Sequence, residues 1–324
     1  MGHKILETLV DKTVLVTGAG GSIATVLCKR LVQYPIRKLK MLNVSETAIY
    51  NLKRMFQKHN VPDSRLEFIL GNVTDEELLR EHLPCTDIVI HTAAHKHVPL
   101  CEENIVQAVL NNVVGTKNLI GMANRFGVEK FIFVSTDKAV KPSSVMGMTK
   151  RVGELMTLYK AGNMWASIVR FGNVKGSSGS VIPLWMEQIQ AGKAITLTHK
   201  DCTRFMMSID EACELILVAL SYKDQGLYVF DMGEPVKMVD LANELMQELG
   251  IGVPIEITGL RPGEKIHEEL TYGGVLDPTS HTRIKKVYEG ADSMCRLSML
   301  DTLTHAAASR NKERTLAALK EMTR

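Results

Sequence analysis

The chain has 324 residues, 45% of them hydrophobic and 23% charged. That composition excludes collagen-like, low-complexity and disordered classes and leaves length for about two domains, or one large α/β core with a smaller lobe. Lys and Arg number 39 against 36 Asp and Glu, a formal charge of +3, and no basic stripe is visible, so nucleic acid is not an expected partner. No run approaches the ~18 apolar residues of a membrane-spanning helix, and Met1-Gly2-His3-Lys4 begins no secretory signal, so the expected setting is cytoplasmic. The cysteines, Cys28, Cys85, Cys101, Cys202, Cys213 and Cys295, form no C-x-x-C pair, which predicts reduced buried thiols and no metal site.

Short β-branched runs at residues 13–16, 39–44, 66–70, 87–91, 130–135 and 165–170 alternate with helix-length segments. This alternation predicts an α/β fold, a doubly wound parallel sheet covered by helices on both faces. The runs ending at His91 and Ser135 are almost continuously apolar, as central strands are. Each meets polar residues at its carboxyl end, where ligands bind in open α/β sheets. After about Gly172 the pattern loosens: Gly176, Gly179, Pro183 and Gly192 punctuate a loop and an amphipathic helix. A smaller lobe is expected there, with a strand at 195–198 and helices over about 208–220 and 238–249. The turn Arg261-Pro262-Gly263-Glu264-Lys265 follows, and a helical tail begins near Ser298, with Leu300, Leu303, Leu316 and Leu319 as packing positions. The expected division is a dinucleotide-binding domain at 1–172 and a substrate-binding lobe with its helical tail at 173–324, some segments of which return to the first domain.

Thr17-Gly18-Ala19-Gly20-Gly21-Ser22-Ile23-Ala24 directly follows the first strand and opens a helix running to about Val32. Glycines here allow a tight turn and close approach of the backbone to a pyrophosphate on the helix N-terminus, the Rossmann arrangement. The residue that contacts the adenosine ribose falls at Asn43, in Leu42-Asn43-Val44-Ser45. Its amide can accept from a ribose hydroxyl but carries no charge to repel a 2′-phosphate, and no arginine adjoins it, so NAD is favoured and NADP also fits. Asn72, in Gly71-Asn72-Val73, either lies near the adenine or is a turn asparagine.

The fifth run enters Ser135-Thr136-Asp137-Lys138, and a helix from near Val145 presents Met146 and Lys150 one turn apart. This matches the Ser…Tyr-x-x-x-Lys arrangement of short-chain dehydrogenases, with Met146 at the tyrosine position. A thioether takes no proton, so the group that deprotonates a substrate hydroxyl must lie elsewhere.

From about Lys12 to Val287 the sequence resembles the UDP-N-acetylglucosamine 4,6-dehydratases of polysaccharide biosynthesis, extended short-chain dehydrogenase/reductases, in the subgroup with Met for Tyr. The resemblance is carried by Thr17 to Ala24, His91-Thr92-Ala93-Ala94-His95-Lys96-His97-Val98-Pro99, Asn111-Asn112-Val113-Val114-Gly115-Thr116 and Ser135-Thr136-Asp137-Lys138-Ala139-Val140. It continues through Val145-Met146-Gly147-Met148-Thr149-Lys150, Arg170-Phe171-Gly172-Asn173-Val174, Gly176-Ser177-Ser178-Gly179-Ser180-Val181, Thr203-Arg204-Phe205 and Leu260-Arg261-Pro262-Gly263-Glu264-Lys265. Many subgroup members carry a membrane region ahead of this part; no such segment is read in this chain.

The resemblance implies dehydration of a UDP-sugar through a transient ketone at carbon 4, with configuration retained at carbon 5. It implies Asp137 as acid toward the carbon 6 hydroxyl, Lys138 as base at carbon 5 and Thr136 bonding the carbon 4 oxygen. Asp137 serving as both acid and base stays open. These roles require a raised Asp137 and a depressed Lys138, whereas their proximity favours the ion pair. Cofactor contacts are expected from Gly18, Gly20, Gly21, Ser22, Ile23, Asn43, Ser45, Asn72, Val73, Ala93, Ala94, Lys96, Asn111 and Lys150. Lys96, His97, Asn173, Ser180, Val181, Thr198, Arg204, Arg261 and Glu264 are expected to bind the nucleotide sugar. A homo-oligomer is expected, dimer or higher. The competing readings are a UDP-sugar 4-epimerase and a non-catalytic nucleotide-binding regulator; the adjacent Asp137 and Lys138 favour elimination over both.

Overall fold

The structure is a computed structural model, and it describes residues 2–59, 61–273, 275–289 and 296–324. Cys295 lies outside the described residues; the other cysteines are free thiols, buried as expected except Cys85, which is exposed because it lies in the turn before β4. The chain begins with helix α1 (Gly2–Leu9) and alternates β1 (Thr13–Thr17), α2 (Ser22–Leu31), β2 (Lys38–Asn43), α3 (Glu46–Lys58), β3 (Leu66–Leu70), α4 (Glu76–His82) and β4 (Ile88–His91). Helix α5 (Val98–Glu103) leads into α6 (Ile105–Val109), a π-helical turn (Leu110–Val114) and α7 (Gly115–Arg125), then β5 (Lys130–Thr136), α8 (Val145–Tyr159) and β6 (Trp165–Phe171).

The expected parallel sheet is present, with small shifts. β2 stops at Asn43 instead of Val44, because the Asn43 side chain takes the Ser45 N–H at 2.8 Å and turns the chain out of the sheet. β5 runs one residue further, to Thr136. Leu15 packs into the core on one face while Val14 and Val16 pack into the core on the other, the period-two burial of a strand covered on both sides.

Beyond β6 come β7 (Asn173–Val174), α9 (Val181–Gln190), β8 (Ile195–Leu197), β9 (Thr203–Arg204), β10 (Met206–Met207) and α10 (Ile209–Leu220). A capping box of Ser208 and Glu211 starts α10, which packs on α2. Then follow β11 (Gly226–Phe230), β12 (Val236–Lys237), α11 (Met238–Leu249), β13 (Ile255–Ile257), β14 (Leu276–Pro278), β15 (Ile284–Val287), α12 (Leu300–Ala308) and α13 (Lys312–Thr323). Trp185, Ile189, Ile195, Leu197, Met238 and Leu241 form a small separate core. β11 pairs parallel with β6, and the antiparallel β15 and β14 extend that edge, so part of the second half belongs to the main sheet.

The nine strands run in the order β14-β15-β11-β6-β5-β4-β1-β2-β3. The chain builds outward from β1 to β3, then returns to place β4 on the other side of β1. The carboxyl ends of β1 and β4 therefore flank a topological switch point, where this class of sheet opens a crevice.

Candidate active site

At the switch point the loop after β1 is shaped by contacts that leave no room for side chains. Gly18 has φ +67°, and a Cβ there would lie 2.8 Å from Ala93 Cα in the loop after β4. At Gly20 it would lie 2.4 Å from Ala48 Cβ and 3.0 Å from the Asn43 amide nitrogen. Ala19 N–H donates to Leu42 O at 3.1 Å, tying the loop to β2. Gly21 and Ser22 then open α2 with no side chain capping its first N–H groups. Asn43 thus stands beside the loop, but its oxygen is engaged by Ser45, whose own hydroxyl caps α3. Asn72 is a turn asparagine, its oxygen accepting Thr74 N–H at 3.0 Å, and Val73 packs into the core against Gly115.

His91, at the end of β4, lies between Thr17 and Thr116, 2.7 and 2.9 Å from their hydroxyls. Burial, aided by the charge of Lys150, pushes its pKa down to about 3, so it is a neutral structural bridge. Ala93 and Ala94 follow in the loop after β4, Ala93 against Gly18. Asn112, in the π-helical turn, accepts His95 N–H at 2.7 Å and donates to His95 O and Thr149 Oγ1, joining the loop after β4 to α8. Asn111, next to it, donates to the Asn112 side-chain oxygen.

Beyond β5 the chain makes a tight turn, Asp137–Ala139. Asp137 is fully buried; its Oδ1 accepts from Thr136 Oγ1 at 2.8 Å and from Lys138 Nζ at 2.9 Å. Lys138 Nζ also donates to Asn173 Oδ1 at 3.0 Å. Thr136 therefore commits its one hydroxyl proton to Asp137. Helix α8 packs on this turn at Gly147, where a Cβ would be 2.2 Å from Lys138 O, and Glu102 accepts Val145 N–H at 2.6 Å. Met146 is buried. Lys150 Nζ donates to Val134 O at 2.6 Å and lies 4.0 Å above the Phe133 ring. Burial depresses it to about 7, with Glu154 opposing that shift.

The residues expected to bind substrate form two groups. Lys96 Nζ donates to Ser178 O at 2.6 Å, Ser178 N–H donates to Ser22 Oγ at 2.9 Å, and the His97 ring packs on Gly179. This strap brings Lys96, His97, Ser180 and Val181 to the mouth of the crevice; Ser180 precedes α9, and its buried hydroxyl has no hydrogen-bond partner among the described residues. In the second group, Glu264 Oε1 accepts from Thr198 at 2.8 Å and from Arg204 at 3.0 Å, while its Oε2 takes the Arg261 N–H. Arg204 is buried and also donates to Thr203 O and Ile266 O. Its donors therefore brace the protein. Arg261 is exposed.

One residue of the site escaped the sequence reading. Glu268 is buried, with Oε1 3.8 Å from Lys138 Nζ. Its signal was only its position, four residues past Glu264, and no periodicity links it to Lys138. Behind the site, Glu154 of α8 is held by Arg170 at 2.7 Å and by Ser135 at 2.6 Å, and Glu289 bonds Arg170 at 2.7 Å. Arg170 also donates to Leu270 O, which fixes the segment carrying Glu268. Among the described residues no group of His, Cys, Asp or Glu is placed to hold a metal ion, and no helix is long and apolar enough to cross a membrane.

The doubly wound sheet and the glycine loop at its switch point define a Rossmann-type dinucleotide-binding fold. Residues 14–289 match the family model described as "Polysaccharide biosynthesis protein". The chain is 42% identical over 299 residues to the "Capsular polysaccharide biosynthesis protein CapD" of Staphylococcus aureus, covering 88% of this chain and 49% of that protein. It is 34% identical to a protein named UDP-glucose 4-epimerase from Rickettsia akari, covering 81% of this chain and 78% of the other. The X-ray structure of Pen from Bacillus thuringiensis superposes with a TM-score of 0.77 at 32% identity, covering 82% of this chain and 84% of that one. The chain belongs to the polysaccharide biosynthesis protein family. It spans about half the length of CapD.

Proposed function

We propose that the chain catalyses NAD-dependent 4,6-dehydration of UDP-N-acetylglucosamine to a UDP-4-keto-6-deoxy-N-acetylhexosamine, retaining configuration at carbon 5, for a surface polysaccharide or glycan. The observation that carries this reading is the Asp137–Lys138–Asn173 group beyond a central strand, with an acid and a base 2.9 Å apart. Elimination of water needs both.

The dinucleotide fits the switch point, since a Cβ at Gly18 or Gly20 would fill the cradle and the α2 N-terminus adjoins it. Gly18, Gly20, Gly21, Ser22 and Ile23 would hold its pyrophosphate. Asn43 and Ser45 would meet the adenosine ribose, Asn72 and Val73 the adenine, and Ala93, Ala94, Lys96, Asn111 and Lys150 the nicotinamide half. When bound, NAD supplies the acceptor for hydride from carbon 4 and the donor to carbon 6.

Lys138 must be an amine to take the carbon 5 proton, and Asp137 Oδ1, 2.9 Å away, is where its own proton goes. That transfer leaves an amine beside a carboxylic acid. The amine then takes the carbon 5 proton as the carbon 5–carbon 6 double bond forms and the carbon 6–oxygen bond breaks. Asp137 gives its proton to the departing hydroxyl, forming water. The pair is then ammonium and carboxylate; Lys138 returns a proton to carbon 5 as carbon 6 is reduced, and the amine so formed takes up from solvent one proton, equal to the one the carbon 4 hydroxyl releases to solvent on oxidation, so the protons balance over the cycle. Asn173, 3.0 Å from Lys138 Nζ, would orient it. The Thr198–Arg204–Glu264 group would receive the uridine ribose, Arg261 and the strap at Lys96 and His97 the diphosphate, and Ser180 and Val181 the uracil. The division at residue 172 and a cytoplasmic setting, both expected from the sequence pattern, and a homo-oligomeric state, expected from the fold family, are part of this proposal; gel filtration reads the oligomer.

A 4-epimerase is the second reading, favoured by the Rickettsia relative. Mass spectrometry separates them. With UDP-N-acetylglucosamine and no added NADH, the product should lack one water, and Lys138→Ala should cut its formation at least about a hundredfold. Turnover without a change in mass would identify the epimerase and overturn the dehydratase.

A further inference from the structure

Two acid groups, Asp137 and Glu268, face a single lysine in this site. Lys138 Nζ is 2.9 Å from Asp137 Oδ1 and 3.8 Å from Glu268 Oε1. Both carboxyl groups are buried, and the second oxygen of each, Asp137 Oδ2 and Glu268 Oε2, has no hydrogen-bond partner among the described residues. Of the other cations facing Glu268, Arg204 pairs with Glu264 at 3.0 Å and Lys265 Nζ donates to Val140 O at 2.7 Å, so both act on Glu268 through charge at a distance. If both acids were ionised, Lys138 alone would bridge two buried carboxylates, each with one oxygen that no donor among the described residues reaches. That crowding of acids around one lysine favours a proton held on a carboxyl group.

We propose that Glu268 is the positioning residue that keeps this proton, and that by remaining neutral it leaves the Lys138 proton free to pass to Asp137. This deepens the dehydratase reading and rests on it for its catalytic consequence. Burial raises the Glu268 carboxyl above the ordinary range and Asp137 adds to the rise, while Lys138, Arg204 and Lys265 offset it in part. An ionised Glu268 would hold Lys138 as ammonium by charge attraction and stop it from acting as base. Activity therefore falls on the alkaline side as Glu268 loses its proton to solvent. Lys150, which titrates near 7, gives a separate ionisation that does not depend on Glu268.

The test has two arms on the full chain. In the first, infrared difference spectra against Glu268→Gln should show, at neutral pH, the carbonyl band of a protonated carboxyl group. That band should persist to higher pH in Lys138→Met, because the ammonium that favours the ionised form is gone; coupling is reciprocal, so this reads the influence of Glu268 on Lys138. In the second, the alkaline limb of kcat should fall with two ionisations in the wild type and one in Glu268→Gln, about tenfold per pH unit instead of up to a hundredfold. Glu268→Asp should restore the second ionisation. A carboxylate band at neutral pH, a titration indifferent to Lys138→Met, or identical pH profiles in wild type and Glu268→Gln would each overturn the proposal. If the wild type removes no water from any UDP-N-acetylhexosamine, the functional reading fails instead, and the infrared arm still decides the proton on Glu268.

Discussion

Lys150 is a side chain whose charge depends on its surroundings. Burial takes it from its ordinary value of 10.5 to about 7, so between those values the unfolded chain binds a proton that the folded chain does not. Unfolding that takes up a proton is opposed as pH rises, so stability increases across that window. Buried Cys28 and Tyr228, whose groups are raised, oppose the trend once they begin to ionise in the unfolded chain. The melting temperature should therefore rise between about pH 7 and 8.5, and Lys150→Met should flatten the rise; an equal rise in the variant would contradict a buried, depressed Lys150. Lys150 and the Asp137–Lys138 pair were legible in the sequence because each sits at a fixed offset from a strand end or along one helix face. Glu268 was not. Its partner is brought to it by the fold of the Arg261–Lys265 turn onto α8, where Ser143 donates to Gly263 O at 2.8 Å, and no local pattern encodes that contact.

Among the elements, the loop from β1 into α2 is held by close backbone approach. Gly18→Ala would require a left-handed conformation and place Cβ 2.8 Å from Ala93 backbone, costing about 1–2 kcal/mol from the backbone alone. Calorimetry should show at least about tenfold weaker dinucleotide binding; unchanged affinity would remove this loop from the cofactor site. The helical elements of the first half could be read from the alternation of runs. The strand ends could not, because side chains such as Asn43 decide where the sheet stops. The strap of residues 177–180 was read as a glycine-rich loop, whereas its closure onto Lys96 and Ser22 depends on loops far apart in sequence.

For the whole molecule, the return of the chain between β3 and β4 creates the crevice, and a buried ion group holds the walls together. Burial alone would raise the Glu154 carboxyl, but Arg170 and Arg151 overcome this and hold it below the ordinary range. Its stabilising effect is present above the ordinary pKa of 4.5 and is lost as pH falls below it. Glu154→Gln should cost about 3–5 kcal/mol, because Arg170 would be left buried with less than its full complement of charge; denaturant unfolding checks this, and a cost near zero would show that Glu289 suffices. The sheet itself was legible from apolar runs. The joining of β11, β15 and β14 to it was less so, since those short strands carry no alternation distinct from the smaller lobe's.

The central claim is that hydride leaves carbon 4 and returns to carbon 6 of one sugar while Asp137 and Lys138 remove water between. Tracing deuterium placed at carbon 4 of UDP-N-acetylglucosamine tests it most directly. The label should appear at carbon 6 of a product that has lost water. Label recovered at carbon 4, in a product of unchanged mass, would contradict it.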